Sequence, residues 1–115
     1  MYTTSENCPR KDVRVWEGKG LIHVKDLTDQ KGLYGHGRLF THTVVDPGCS
    51  IGYHTHDHET EFYYIIKGEA GFNDNGKEVI LRAGDIGATG YGEGHGLENR
   101  TNEPVEMIAL IVTEA

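Results

Sequence analysis

Short runs of alternating or continuous apolar residues recur along the chain, and turn-forming residues cut them at close intervals. The stretch 38–45 (RLFTHTVV) is rich in Thr, Val and Phe and stops at Asp46-Pro47-Gly48. β-branched and aromatic side chains suit a pleated, half-buried surface, so this predicts a strand. The stretch 61–67 (EFYYIIK) predicts another, ended by Gly68, and 105–113 (VEMIALIVT), the most apolar run, predicts a central one. Shorter strands are expected at 21–27, 51–56, 69–73, 78–81, 86–89 and 97–100. Asp74-Asn75-Gly76 predicts a hairpin, because Asn-Gly accepts positive φ at both central positions. The segment 90–96 carries glycines at 90, 92, 94 and 96, and His95 is expected on a later strand behind that run. No segment holds a capped 3.6-residue apolar period. Roughly eight or nine strands at 8–12-residue spacing predict an all-β sandwich or barrel.

Residues 1–20 are polar and include Pro9; their large apolar side chain is Trp16. They are expected to form an N-terminal arm pinned by Trp16, with residues 21–115 as one barrel domain. The 115-residue length allows one domain. The 16 glycines are about twice the average share, which fits many tight turns. A net charge of −7 repels phosphates and anionic lipid, so neither nucleic acid nor a membrane is an expected partner. No apolar leader opens the chain and no stretch is long and apolar enough to span a bilayer, which predicts a cytoplasmic protein with Cys8 and Cys49 as separate thiols.

Histidines stand at 23, 36, 42, 54, 56, 58 and 95. On a strand, residues i and i+2 share a face, so His54 and His56 point the same way. Two such imidazoles supply two corners of a divalent-metal site. Glu61, opening the next strand, can supply a third and His95 a fourth, with Gly94 and Gly96 letting a neighbouring strand come close. An isolated His-x-His is as easily surface polarity on a half-exposed strand; the wider spacing carries the weight.

That spacing runs Gly48, His54, His56, Glu61, Gly68, and later Gly84, Gly92, His95, Asn99. It resembles the cupin superfamily. The first stretch is similar to the first cupin motif, G-x5-H-x-H-x4-E-x6-G, at every anchor. The second is similar to G-x5-P-x-G-x2-H-x3-N, except that Gly90 stands where the family usually has Pro, which is expected to leave the loop before His95 freer. The resemblance covers about residues 38–112. It implies a small double-stranded β-helix, or jelly-roll barrel. It further implies that His54, His56, Glu61 and His95 bind one divalent transition metal ion (Fe, Mn, Ni, Co or Zn) inside it.

A tetrahedral ion would be closed by four protein ligands, whereas a six-coordinate ion keeps about two open positions. Tyr63 shares the parity of Glu61 and is a candidate for orienting substrate or for acid–base work. His42 is a second candidate if it faces inward with Phe40 and Val44. His58 is expected at the pocket rim, Tyr53 facing away, and Asn99 in a structural role. The favoured expectation is a metal-dependent enzyme acting on a small oxygenated molecule, of dioxygenase, isomerase or lyase type. The alternatives are a non-catalytic module that binds or senses a small molecule or the metal, and a closed structural metal. The polar arm suggests a homodimer built by pairing with a neighbour's sheet edge.

Overall fold

A computed structural model describes residues 1–114. The runs read above become strands by antiparallel pairing, mostly with partners distant in sequence. The order is β1 (Arg10–Val13), β2 (Ile22–Asp26), β3 (Gly37–Val45), β4 (Ser50–Thr55), β5 (Glu59–Lys67), β6 (Glu69–Asp74), β7 (Lys77–Arg82), β8 (Ile86–Thr89), β9 (Gly94–Glu98) and β10 (Val105–Thr113). One sheet runs β1-β2-β3-β10-β5-β8 and the other β4-β9-β6-β7. From β3 onward the chain crosses between the sheets at every step except β6 to β7, which makes the double-stranded β-helix. β10 sits centrally, between β3 and β5, as its apolar run predicts. The hairpin at Asp74–Gly76 forms as expected, with φ of 53° at Asn75 and 95° at Gly76. Among the described residues no helix is long and apolar enough to cross a membrane.

Three elements differ from the sequence reading. β9 begins at Gly94, inside the glycine run and three residues before the stretch 97–100. The arm contributes β1, which pairs antiparallel with β2. On β3 the inward residues are Thr41, Thr43 and Val45, all buried, so Phe40, His42 and Val44 take the opposite face. His42 is thereby corrected: it does not reach the barrel interior, and its Nε2 lies 3.1 Å from Glu106 Oε1 outside. The inward and outward residues of β3 are both partly apolar, and hydropathy alone does not choose between them.

After β1 the arm turns across β4. The N–H groups of Gly18 and Gly52 both donate to the Val15 carbonyl at 3.0 Å, and Ser50 N–H donates to the Lys19 carbonyl at 2.9 Å. Trp16 and Glu17, the central residues of this turn, have φ of 50° and 56°. Two consecutive left-handed residues of L chirality are costly and persist only where surroundings hold them. The close approach requires Gly52, since a Cβ there would overlap the Trp16 carbonyl.

Gly52→Ala is expected to destabilise the protein by about 1–3 kcal/mol through forced displacement of the strap, measured by chemical denaturation. A second prediction concerns His23, whose Nδ1 and Nε2 lie 2.7 and 2.6 Å from Asp12 and Asp46. Hydrogen bonds to these carboxylates, Asp12 first, raise its pKa above the ordinary value against a small desolvation effect. A raised histidine pKa stabilises fully below the unfolded value of about 6.5, and the stabilisation disappears as pH rises through the folded value. The ring is half exposed, so the contribution is a few tenths of a kcal/mol. An NMR titration of the His23 ring should give a midpoint above 6.5; one at or below it contradicts the bridge.

Candidate metal centre

The four residues come together because strand alternation aims them at one point. Along β4, Tyr53 is exposed, His54 buried and Thr55 exposed, and the alternation carries past the strand end to buried His56. β9 brings His95 directly opposite His54 in the antiparallel register. β5 adds Glu61 from the other sheet. Gly94 has no side chain where the Tyr53 ring lies, so β9 can approach as the sequence suggests. All four side chains are buried.

Glu61 Oε1 stands 3.2 Å from His56 Nε2, 3.1 Å from His95 Nε2 and 4.0 Å from His54 Nε2. His95 Nε2 is 3.0 Å from His56 Nε2 and 3.1 Å from His54 Nε2. Each ring is oriented by its other nitrogen. His54 Nδ1–H donates to the Gly52 carbonyl at 2.7 Å, and His56 Nδ1–H donates to Glu59 Oε2 at 2.8 Å. Thr89 Oγ1 lies 2.8 Å from His95 Nδ1 and can accept its proton. A carbonyl and a carboxylate only accept, so the Nε2 atoms of neutral His54 and His56 carry lone pairs. With the Glu61 oxygen these lone pairs face one another at hydrogen-bonding distance, without enough protons between them. A cation is what this donor set fits. With bonds of about 2.1 Å, adjacent ligands on an octahedron stand ~3.0 Å apart and opposite ones ~4.2 Å, whereas all pairs on a tetrahedron stand ~3.4 Å apart. Four separations of 3.0–3.2 Å and one of 4.0 Å lie within the span that four ligands of one ion occupy.

Electrostatics agree with ligand chemistry. Burial pushes the Glu61 carboxyl upward, but the three histidines around it outweigh that and hold the pKa well below the carboxylate range. His95 is pushed down, first by burial. Both shifts favour the states a metal needs, an ionised carboxylate and a neutral imidazole. His56 is shifted the other way, raised chiefly by Glu61. Behind it, Glu59 is clamped by Arg38 Nε and Nη2 at 2.9 and 2.8 Å, and Arg38 keeps its pKa low.

A cavity of about 170 Å³ opens beside the cluster, lined by His54, His56, Glu61, Tyr63, Thr41 and Thr43 together with apolar residues of β2, β3 and β10. The Tyr63 ring stacks on His95 with centroids 4.8 Å apart, and Trp16 stacks on His54 at the same distance. Burial first, then the Glu61 charge, raises the Tyr63 hydroxyl well above its ordinary pKa, so it stays protonated. Trp16 remains 60% exposed and covers the cavity mouth as much as it anchors the arm. His58 lies outside, its Nδ1 2.8 Å from Glu114 and its ring against Tyr91. Asn99 ties a turn, donating from Nδ2 to the carbonyls of Val45 and Glu103. Gly90 does not loosen the loop before His95. Its N–H, which Pro would lack, donates to Glu93 Oε1 at 2.7 Å and fastens it. Sequence reasoning passed over Glu59, Thr89, Arg38, Thr41 and Thr43. Glu59 had one signal, a carboxylate three residues after a histidine.

The cupin domain family model matches residues 41–112. The oxalate-binding protein of Thermotoga maritima is 38% identical over 112 residues, which cover 97% of this chain and 93% of the relative. The crystal structure of a predicted oxalate decarboxylase from Thermotoga maritima superposes with a TM-score of 0.93 at 36% identity, covering 98% of this chain and 99% of that one. KdgF from Halomonas sp. superposes with a TM-score of 0.78 at 16% identity, covering 100% and 94%, a likeness of fold alone. By the extent of these matches and by the barrel that carries its buried histidine–glutamate cluster, the chain belongs to the cupin family.

Proposed function

We propose that the protein holds one divalent transition metal through His54, His56, Glu61 and His95, and that it is a metal-dependent enzyme acting on a small oxygenated acid. The observation that carries this reading is the convergence of three Nε2 atoms and one carboxylate oxygen at 3.0–4.0 Å in a buried site beside a cavity. A six-coordinate ion held by these four residues would keep about two positions for oxygens of a small ligand. When bound, the metal supplies Lewis acidity to a coordinated oxygen and a site for dioxygenase, isomerase or lyase chemistry. The protein's own part is orientation and exclusion of water. Gly52, Glu59 and Thr89 fix the three imidazole planes. Tyr63 keeps a proton beside Glu61 that it can donate to a bound ligand. Trp16 and the strap narrow the mouth.

A second reading, a binding module without turnover, is favoured by two observations. The 38%-identical relative is named for binding oxalate, and among the residues lining the cavity no histidine lies outside the cluster to serve as a free base. Product formation by metal-loaded protein separates the readings.

Self-association is proposed through the outer face of the six-stranded sheet, beside the arm's β1, which pairs with β2 on one side and forms the sheet edge on the other. Phe40, Ile108, Leu110, Phe62, Tyr64 and Ile86 form cross-strand rows there; Tyr64 is 46% and Ile86 60% exposed. The face spans four strands, roughly 15 by 30 Å or about 450 Å² in projection, a little over half of the ~800 Å² each partner buries in a stable complex. The His42–Glu106 pair lies on the same face beside these rows.

Metal analysis should find one ion per chain, and His54→Ala or Glu61→Ala should abolish stoichiometric uptake; full occupancy in either variant refutes the ligand set. Glu59→Gln should weaken metal binding about 10- to 100-fold with the fold retained, by calorimetry. Light scattering should give a dimer mass for the wild type and a smaller mass for Tyr64→Lys; a monomeric wild type refutes the outer-face pairing.

A further inference from the structure

We infer that the molecule held at this centre carries an apolar body behind its chelating head, and that the inner wall of β2, β3 and β10 selects for it. The inference rests on the metal reading above and names the ligand class. Moving across the sheet from Glu61, the cross-strand neighbours are Ile111 and then Leu39. From Tyr63 they are Ala109 and then Thr41. One row further in, Met107 is followed by Thr43 and Val24. All of these line the cavity, joined by Ile22. The wall facing away from the cluster is therefore largely aliphatic.

The polar groups on that wall are largely engaged already. Thr41 Oγ1 and Thr43 Oγ1 hydrogen-bond each other at 2.9 Å. Arg38, at the edge of that wall, spends Nε and Nη2 on Glu59, which balances its charge and leaves Nη1 as its remaining donor. A compact dianion chelated at the cluster would leave its far oxygens against methyl groups, and a buried charge without partners is strongly unfavourable. Size points the same way. The cavity of about 170 Å³ is larger than the ~150 Å³ apolar cavity that admits benzene, so it holds several carbon atoms beyond a two-carbon chelate. A 2-oxo or 2-hydroxy monocarboxylate with an aliphatic or aryl tail satisfies both halves of the site: two adjacent oxygens for the metal side, hydrocarbon for the wall.

The experiment uses the full chain loaded with Mn(II) or Co(II). Glyoxylate, pyruvate, 2-oxobutanoate, 2-oxopentanoate and 2-oxohexanoate are titrated beside oxalate. Binding is read by calorimetry and by fluorescence of Trp16, the chain's one tryptophan, which stacks on His54. Affinity should rise about fourfold for each methylene until the cavity is full, and the longer acids should exceed oxalate. Ala109→Leu, which fills the cavity from β10, should remove the gain for the longer acids, with metal content reporting that the cluster is still assembled. If that variant does not fold, Val24→Phe tests the same wall from β2. Equal affinity along the series, or oxalate binding tightest, overturns this inference and leaves the metal centre standing. Failure of the wild type to take up metal overturns both.

Discussion

Four acceptor atoms are forced to face one another inside this barrel, and much of the surrounding architecture follows from holding them there. Imidazole and carboxylate lone pairs 3.0–3.2 Å apart repel unless a positive charge lies between them. The backbone nevertheless brings them together, because β4 and β9 are locked in antiparallel register at His54 and His95 and β5 crosses from the other sheet. Each ring is then kept from rotating away by a partner on Nδ1. Such a site stores unfavourable electrostatics that a cation relieves, so metal affinity and folding stability are coupled in one equilibrium.

The supports form a second layer with its own logic. Glu59 is held by Arg38, so it stays ionised and can accept from His56. The carbonyl that fixes His54 belongs to Gly52, the residue whose missing side chain also lets the strap pass. One glycine therefore links the ring orientation of His54, the strained turn at Trp16 and Glu17, and the indole that covers the His54 face. The arm is part of the site rather than a tether beside it.

Much of the fold and the cluster was legible because β structure has period two. His54, His56 and Glu61 could be aimed by parity, and the central strand by its unbroken apolar run. What was not legible has physical reasons. β9 starts within a glycine run, and glycine has no side chain to reveal a face, so the start of the strand that carries His95 did not show in periodicity. β3 carries Thr41, Thr43 and Val45 inward and Phe40 and Val44 outward, and with apolar residues on both faces hydropathy does not choose between them. The side that His42 takes was left open for that reason. The supports of the imidazoles were harder still. A backbone carbonyl at Gly52 has no sequence signature, and Thr89 meets His95 only through the fold.

Charge balance joins the cluster to the cavity. Three neutral imidazoles and one carboxylate around a divalent ion leave one positive charge in a buried place, at a cost that one anionic group in the open positions cancels. A monocarboxylate whose second ligand atom is a neutral oxygen brings the assembly to zero. A dicarboxylate overshoots to a net negative charge and turns it toward aliphatic residues of β3 and β10. Neutrality at the metal and hydrocarbon on the opposite wall thus select the same kind of molecule, although one is set by the ligand residues and the other by the inward positions of a different sheet.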